Sequence, residues 1–304
     1  MEFALDQRAP GSSNDLLIPS DIPGLYARTS LFESVCAAVA TAITALGRQD
    51  NPEMLRFPPV IDQRIVERNG YFVGFPHLAG CVHSFTGSAT DHKRLLYKLL
   101  SDEPSGDEFA QTGCMLTPAA CYPVYPLIAA RGAMPPEGIL IDVESYCFRR
   151  EPSDDPMRMQ SFRMREYVRI GTKPQVESFF AEWLQRADSF MTDIGLAGQL
   201  APAHDPFFGT AATALAAGQI DGQLKFEMLV PNPTAQTPVA CMSFNRHETH
   251  FTSAWDLRFS DGSLAQSACV GFGIERLVLA LFAAHGANTQ DWPAPVRGTL
   301  WAAS

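Results

Sequence analysis

Cys121, Glu166 and Cys269 carry side chains that suit one divalent metal if the fold brings them together. Two thiolates and a carboxylate form a plausible zinc set, with a fourth position left for water or substrate. Spacing alone does not unite them, and a lone cysteine is more often an inert core residue. Their contexts are more specific. Cys121 closes the run Thr117-Pro118-Ala119-Ala120-Cys121, and Cys269 stands just before Gly271-Phe272-Gly273-Ile274-Glu275-Arg276. Ala265 and Ser267, which alternate with Cys269, are small enough to leave open space above that strand face.

Arginines surround Glu166 in the sequence. Residues 139–151 and 162–170 read as two strands around the loop Pro152-Ser153-Asp154-Asp155-Pro156. Alternation puts Cys147, Arg149 and Glu151 on one face, and Phe162, Glu166 and Val168 on one face of the return strand. Folded together they would present a guanidinium, an aromatic ring and two carboxylates, with Arg158 adding a second guanidinium. Such a set suits a nucleotide, because arginine forks bind phosphate and a ring stacks on a base. The plain alternative is a solvated, charged hairpin.

Gly271-x-Gly273-x-x-Arg276 also has two readings. A strand ending in glycines before a helix can offer N–H groups to a phosphate. It lacks the third glycine of a dinucleotide fingerprint, so an ordinary strand-to-helix turn is the alternative. Arg276 is a cation in the first helical turn, where the helix dipole disfavours one, and this points towards a ligand.

Other chemistries are excluded or disfavoured. His247-Glu248-Thr249-His250 is one residue short of the His-Glu-x-x-His that puts two zinc ligands on one helical face. No Gly-x-Ser-x-Gly elbow or Walker loop is present. A net charge of −10 argues against general nucleic-acid binding. The seven cysteines lack close regular spacing, and Met1–Asp6 shows no basic segment leading into an apolar run. With no stretch of about 18 or more apolar residues evident, the expectation is a cytoplasmic protein with free thiols and no membrane association.

The chain has 304 residues, 46% of them hydrophobic, ample for a sizeable core. Residues 1–24 read as a loose tail and 25–304 as the folded domain. Ser30-Leu31-Phe32-Glu33 has capping-box spacing and opens a helix to about Leu46, closed by Gly47. Prolines make 57–61 extended, and residues 70–87 look like short strands with turns. Val176, Phe179, Phe180, Trp183, Leu184 and Ala187 mark one face of a long helix, and a second helical stretch covers 210–219. Strands are expected at 224–230, 237–245, 253–259 and 264–270, with Asp261-Gly262 as a hairpin turn, before a last helix near Ile274. Hairpins outnumber helical crossovers, so an antiparallel α+β fold is favoured.

Taken in order, these segments resemble the catalytic core of a class II aminoacyl-tRNA synthetase, which implies that residues 25–304 are the catalytic domain. The helix from Ser30 with Phe57-Pro58-Pro59 looks like the dimer-forming first motif, Phe148-Arg149-Arg150-Glu151 up to Phe162 like the second, and Gly271 to Arg276 like the third. Lys225-Phe226-Glu227-Met228-Leu229-Val230-Pro231 is similar to a strand of the seryl-type enzymes. A nearer resemblance is to the amino acid–[carrier protein] ligases, truncated relatives of the zinc-dependent seryl-tRNA synthetases. It rests on Gly70-Tyr71…Phe75-Pro76-His77-Leu78, Thr117 to Pro123, Asp205-Pro206-Phe207-Phe208-Gly209 and Ala268 to Gly273.

The resemblance implies Cys121, Glu166 and Cys269 as zinc ligands and Arg149 as the clamp on the α-phosphate of ATP. Arg149 and Arg276 would be the catalytic pair. Glu151 would hold the adenine side, Phe162 would stack on adenine, and Arg158 and Arg276 would hold the outer phosphates. Glu166, Lys225 and Glu227 would contact the amino acid. Ala240, Cys241, Met242 and Ser243 fall where seryl-type enzymes contact ATP and Mg²⁺. There the usual glutamate is replaced by Val239 or Ala240, which puts Mg²⁺ coordination in doubt. The family loads glycine or alanine onto the phosphopantetheine thiol of an acyl or peptidyl carrier protein, as a homodimer. The seryl-type tRNA-binding arm is missing, so no tRNA is expected. The competing expectations are a synthetase working with a separate tRNA-binding partner, or a non-catalytic amino-acid sensor.

Overall fold

A computed structural model describes residues 16–301. Residues 1–15 of the expected tail lie outside the described residues. The rest of that segment is structured, because Leu16 and Leu17 bury in the core. β1 (Leu17–Pro19) pairs antiparallel with β2 (Tyr26–Arg28). The expectation of a loose tail is corrected there.

α1 (Ser30–Gly47) is capped one residue earlier than expected, by Thr29, whose hydroxyl accepts from the Phe32 amide at 3.4 Å. Glu33 instead accepts from Arg163 at 2.7 and 3.0 Å. Gly47 does not serve as a left-handed terminator. A Cβ there would stand 2.4 Å from the Tyr167 ring, so glycine is required by close approach. By length and composition Ser30–Asp50 could cross a bilayer, with mean hydropathy 1.5, contrary to expectation. In this fold its Phe32, Val35, Val39 and Ile43 are buried in the core.

β3 (Glu53–Arg56), β4 (Val60–Asp62), α2 (Gln63–Arg68), α3 (Tyr71–Gly74), β5 (Cys81–Ser84), α4 (Ala89–Leu100), β6 (Ala110–Leu116) and α5 (Val124–Ala129) follow. β4, β6 and β5 form a small antiparallel sheet. Residues 70–87 therefore begin as helical turns, not strands. Gly70 starts them at φ +76° and Pro76 opens a 3-10 turn at Pro76–Leu78.

The main sheet uses β7 (Ile139–Phe148), β8 (Ser161–Gly171), β9 (Gln199–Pro202), β10 (Lys225–Val230), β11 (Val239–Glu248) and β12 (Gln266–Gly273). Between them lie α6 (Lys173–Asp193), α7 (Ala212–Asp221) and α8 (His250–Ala254), and α9 (Ile274–His285) and α10 (Ala294–Trp301) end the described chain. The strand order is β3-β7-β8-β12-β11-β10-β9, with only the β3–β7 pair parallel. This is the antiparallel α+β fold the hairpins implied. The strand expected at 253–259 does not form. The Thr252 hydroxyl donates to the Ala265 carbonyl at 2.5 Å and Leu257 N–H to the Thr252 carbonyl at 2.9 Å, folding the segment back on itself.

The two faces of the sheet differ in chemistry. Phe226, Phe244, Val270 and Tyr167 oppose one another across four strands and join the core formed with α1, α6 and α9. Burying side chains of this size stabilises by about 1.5–3 kcal/mol each. An ion pair is buried there too: Arg165 donates to Asp142, both 1% exposed, and to the Ala40 carbonyl of α1 at 2.5 Å. The opposite face carries the polar residues.

Candidate active site on the polar face

Antiparallel register builds one continuous row across the polar face. Ala201, Glu227, Ser243, Gly271, Glu166, Val143 and Leu55 stand opposite one another on seven successive strands. The adjacent row holds Lys225, Asn245, Cys269 and Val168. Glu166, Cys269, Ser243, Lys225 and Glu227 are thus placed on one face of the sheet by pairing alone. Gly271 is paired with a strand on each side, within the sheet, so its role differs from the phosphate-facing amide expected. A Cβ there would be 3.1 Å from Ser243 Oγ and 3.6 Å from Glu166 Cγ, so glycine keeps the centre of the row clear.

Cys121 arrives from outside the sheet. Thr117 N–H donates to the Pro59 carbonyl at 3.0 Å, and the Thr117 and Ser145 hydroxyls donate to the Pro58 carbonyl at 3.3 and 3.1 Å. Phe148 N–H donates to the Thr117 carbonyl at 2.8 Å. The two prolines thereby fix the turn before α5 over the end of β7, and Cys121 N–H reaches Glu166 Oε1 at 3.1 Å.

The three residues singled out first are neighbours: the Cys121 amide donates to the Glu166 carboxyl, and each of the three groups acts on the proton affinity of the others. The Cys121 thiol is pushed well up by its neighbour Cys269 and by burial. For Cys269 its neighbour Cys121 pulls down, but burial and the Glu166 charge outweigh it. Burial raises Glu166 despite the opposing effect of both cysteines. Among the described residues no set of three or more His, Cys, Asp or Glu forms a ready metal cage. The donor chemistry nevertheless fits zinc: three buried groups that hold protons tightly are those a divalent cation would discharge.

His247 was missed as a site residue. β11 slips register against β12 between Arg246 and Glu248, leaving His247 as the extra residue of a bulge. The bulge aims its Nε2 at Cys269 Sγ, 3.4 Å away, while Nδ1 lies 3.1 Å from the Tyr125 hydroxyl and 3.2 Å from Ser267 Oγ. Burial pushes its pKa down to about 3, so the ring is neutral. The space expected above Ser267 is filled by this network. The rejected His-Glu-x-His string had signalled two histidines in one place, and only the first approaches Cys269. Asn245 Nδ2 donates to the same sulfur at 3.4 Å.

The arginines lie off the ends of the strands: Arg149 directly follows β7, Arg158 is in the β7–β8 loop and Arg276 is in the first turn of α9. Arg149 donates through Nε to the Pro118 carbonyl at 3.3 Å and lies 5.6 Å from the Phe162 ring centre. Arg276 donates to the Met157 and Ala240 carbonyls at 2.7 and 2.8 Å. A second bulge, between Met228 and Leu229, accompanies the turn of the chain that exposes this Ala240 carbonyl. Burial and then the charges of Arg149 and Arg158 lower the Arg276 pKa. Guanidiniums that repel one another are the chemistry a polyanion would relieve. Glu275, 1% exposed, accepts from Arg163 of β8 and locks the start of α9 in position.

The loop bearing Arg158 and Glu151 is pinned by the hairpin first read as tail. Gln160 N–H donates to the Gly24 carbonyl at 2.9 Å, its side chain to the Pro23 carbonyl at 2.7 Å, and the Tyr26 hydroxyl to the Asp154 carbonyl at 3.2 Å. Arg158 is exposed and Glu151 half-buried. Of Ala240 to Ser243, only Ser243 turns its side chain to the row; Cys241 and Met242 are buried in the core.

At the far edge Lys225 donates to Asp205 at 2.5 Å and Glu227 at 3.0 Å. Burial works against both Asp205 and Lys225, but their mutual attraction lowers the first and raises the second. The Asp205 segment closes over residues 70–78: Phe208 N–H donates to the Gly74 carbonyl at 2.8 Å, and Phe207 and Phe208 stack on Phe75 and His77.

Comparison with known proteins agrees with this geometry. No family model matches the chain. It is 43% identical over 277 residues to amino acid–[acyl-carrier-protein] ligase 1 of Bradyrhizobium diazoefficiens, spanning 91% of this chain and 85% of that protein. Ligase 2 of the same organism is 41% identical, over 91% and 83%. The type-2 serine–tRNA ligase of Methanopyrus kandleri is 25% identical over 68% of this chain and only 42% of its own length. The fold matches M. kandleri seryl-tRNA synthetase, solved with tRNASec, at a TM-score of 0.79 and 18% identity, over 93% of this chain and 58% of that one. A Giardia lamblia prolyl-tRNA synthetase solved with prolyl-adenylate gives 0.64 at 12% identity, over 88% and 49%. The architecture is that of class II aminoacyl-tRNA synthetases.

Proposed function

The chain belongs to the amino acid–[acyl-carrier-protein] ligase family and is a ligase, and from that premise we propose that it activates glycine or alanine with ATP and loads it onto the phosphopantetheine thiol of a carrier protein. The observation that carries this reading is the polar face, with Glu166 and Cys269 at its centre and three arginines on the segments that follow β7 and β12.

In the first step a carboxylate oxygen of the amino acid attacks the α-phosphorus of ATP, and pyrophosphate leaves with the electron pair of the broken P–O bond. Arg149 is the clamp on the α-phosphate, and Arg158 and Arg276 hold the outer phosphates with Mg²⁺. Phe162 stacks on adenine, Glu151 holds its edge, and Ser243 with the backbone of residues 240–242 lines the ATP side. Lys225 and Glu227, with Glu166, contact the amino acid. In the second step the carrier thiolate attacks the acyl carbon and AMP leaves, giving a thioester. The site's contribution is mainly orientation and charge compensation.

Cys121, Glu166 and Cys269 are the residues that would hold zinc, whose chemistry there is to accept the substrate's neutral amine as a further donor. His247 and Asn245 would fix the Cys269 sulfur from outside. The same reading makes the protein a homodimer in the cytoplasm, where the thiols of Cys121 and Cys269 would stay reduced.

Amino-acid-dependent ATP–pyrophosphate exchange tests the first step. Exchange with glycine or alanine exceeding that with serine is expected. No exchange with any of the three, in zinc-replete protein, contradicts the reading.

A further inference from the structure

The hydroxyl of Tyr71 is buried without a hydrogen-bond partner. The residue is 4% exposed. Buried polar groups are paired in folded proteins with few exceptions, because an unmade bond costs the full desolvation of the group. An orphan among residues of a candidate site has a ready partner in a bound substrate.

Its surroundings say which part of the substrate. The Tyr71 ring lies edge-on to Tyr122 at 5.9 Å and tilted against Phe75 at 5.3 Å. Tyr122 adjoins Cys121 in the chain, and Phe75 stacks at 5.2 Å on Phe207, in the segment whose Asp205 holds Lys225. Tyr71 is therefore bracketed by the two ends of the amino-acid side of the row. Of the charges acting on it, Arg149 is the foremost, with the Glu151 and Asp205 carboxylates opposing it. Burial pushes the hydroxyl pKa up to about 12, so at neutral pH it carries a proton to donate. Arg149 marks the junction with the α-phosphate, so a donor beside it on the amino-acid side faces a carboxylate.

We propose that Tyr71 is a substrate-binding residue whose hydroxyl donates a hydrogen bond to the carboxylate end of the bound amino acid, the partner that this buried orphan lacks. The inference rests on the proposed amino-acid activation. It adds a group that orients the reacting carboxylate and ties the segment 70–78 to the reaction.

The phenylalanine variant separates this role from a structural one. Tyr71→Phe keeps the ring contacts with Tyr122 and Phe75 and deletes only the orphan. A hydroxyl that serves the fold would lower the melting temperature when removed. One waiting for substrate leaves the free protein as stable or more so. The experiment is ATP–pyrophosphate exchange with glycine and alanine, titrating amino acid and ATP separately, alongside thermal unfolding of both proteins. The expected result is a rise of roughly tenfold or more in KM for the amino acid, equivalent to about 1.4 kcal/mol or more, with KM for ATP unchanged and melting temperature unchanged or higher. An unchanged KM for the amino acid overturns the proposal, as does a rise confined to ATP or a lowered melting temperature. Failure of the wild-type protein to exchange with any amino acid overturns the activation reading along with it. Normal exchange in both proteins overturns the role of Tyr71 alone.

Discussion

Glu166 and Gly271 stand directly opposite each other in the β8–β12 pair, and a Cβ on Gly271 would lie 3.6 Å from Glu166 Cγ and 3.1 Å from Ser243 Oγ. Gly271→Val should therefore leave the sheet paired but fill the centre of the row. Displacing a reacting group by about 1 Å can cost roughly a hundredfold in rate, so exchange activity should fall by about that factor. Retained far-ultraviolet circular dichroism with lost exchange supports the assignment. Full activity in Gly271→Val contradicts it.

The arginine-bearing loop depends on the hairpin before α1. Removing the side-chain anchor in Gln160→Ala frees the loop from the Pro23 carbonyl, held at 2.7 Å. KM for ATP should rise several-fold while KM for the amino acid changes little, because Arg158 lies on the loop and Lys225 does not. Equal changes in both would contradict this division of the site.

Asp142 and Arg165 form a buried pair between the β7–β8 hairpin and α1. Breaking such a pair leaves an uncompensated charge and costs about 3–5 kcal/mol. Asp142→Ala should lower the denaturant midpoint accordingly, and Asp142→Leu combined with Arg165→Met should recover much of the loss. A single-variant midpoint equal to wild type would show the pair to be dispensable.

The acid limb of stability follows from Asp205. Its carboxyl is held below the ordinary value of 3.8 by Lys225, against the opposing effect of burial. A depressed carboxyl stabilises above its unfolded value, and the contribution disappears as pH falls through the folded one. Lys225 is raised above 10.5, so its contribution is present below that value and is lost at higher pH. The difference in melting temperature between wild type and Asp205→Asn should be constant near neutrality and shrink below about pH 3.8. A difference that persists unchanged into stronger acid would contradict the pairing.

Much of this was legible in the sequence, and for identifiable reasons. The α+β fold, α6 and the β7–β8 hairpin follow from periodicities the chain displays openly. Glu166 and Phe162 could be put on one strand face by alternation alone. Register between distant strands could not be read, so pairing of Glu227, Ser243 and Gly271 with Glu166 emerges only in the fold. His247 was hidden because alternation puts it on the face of Ser243 and Asn245 but does not say which residue of a distant strand it meets; the approach to Cys269 depends on cross-strand register. Leu16 and Leu17 belonged to a short hairpin whose burial is supplied wholly by tertiary contacts. The turns at Tyr71–Leu78 have too few residues to show a helical period.

His247 supports Cys269 across 3.4 Å. Supporting residues of this kind typically change metal affinity about 10–100-fold when removed. His247→Phe should accordingly lose zinc to a competing chelator at lower chelator concentration than wild type, and Cys269→Ser should fail to retain it. Equal retention by wild type and both variants would remove the zinc assignment.

Transfer to a carrier protein is the most direct measurement. Purified protein, ATP, Mg²⁺ and glycine or alanine are incubated with a phosphopantetheinylated carrier, with its unmodified form, and with tRNA, and the intact mass of each acceptor is determined. The account predicts that only the phosphopantetheinylated carrier gains one aminoacyl group, released by hydroxylamine as a thioester requires. Aminoacylated tRNA with an unmodified carrier mass would contradict it.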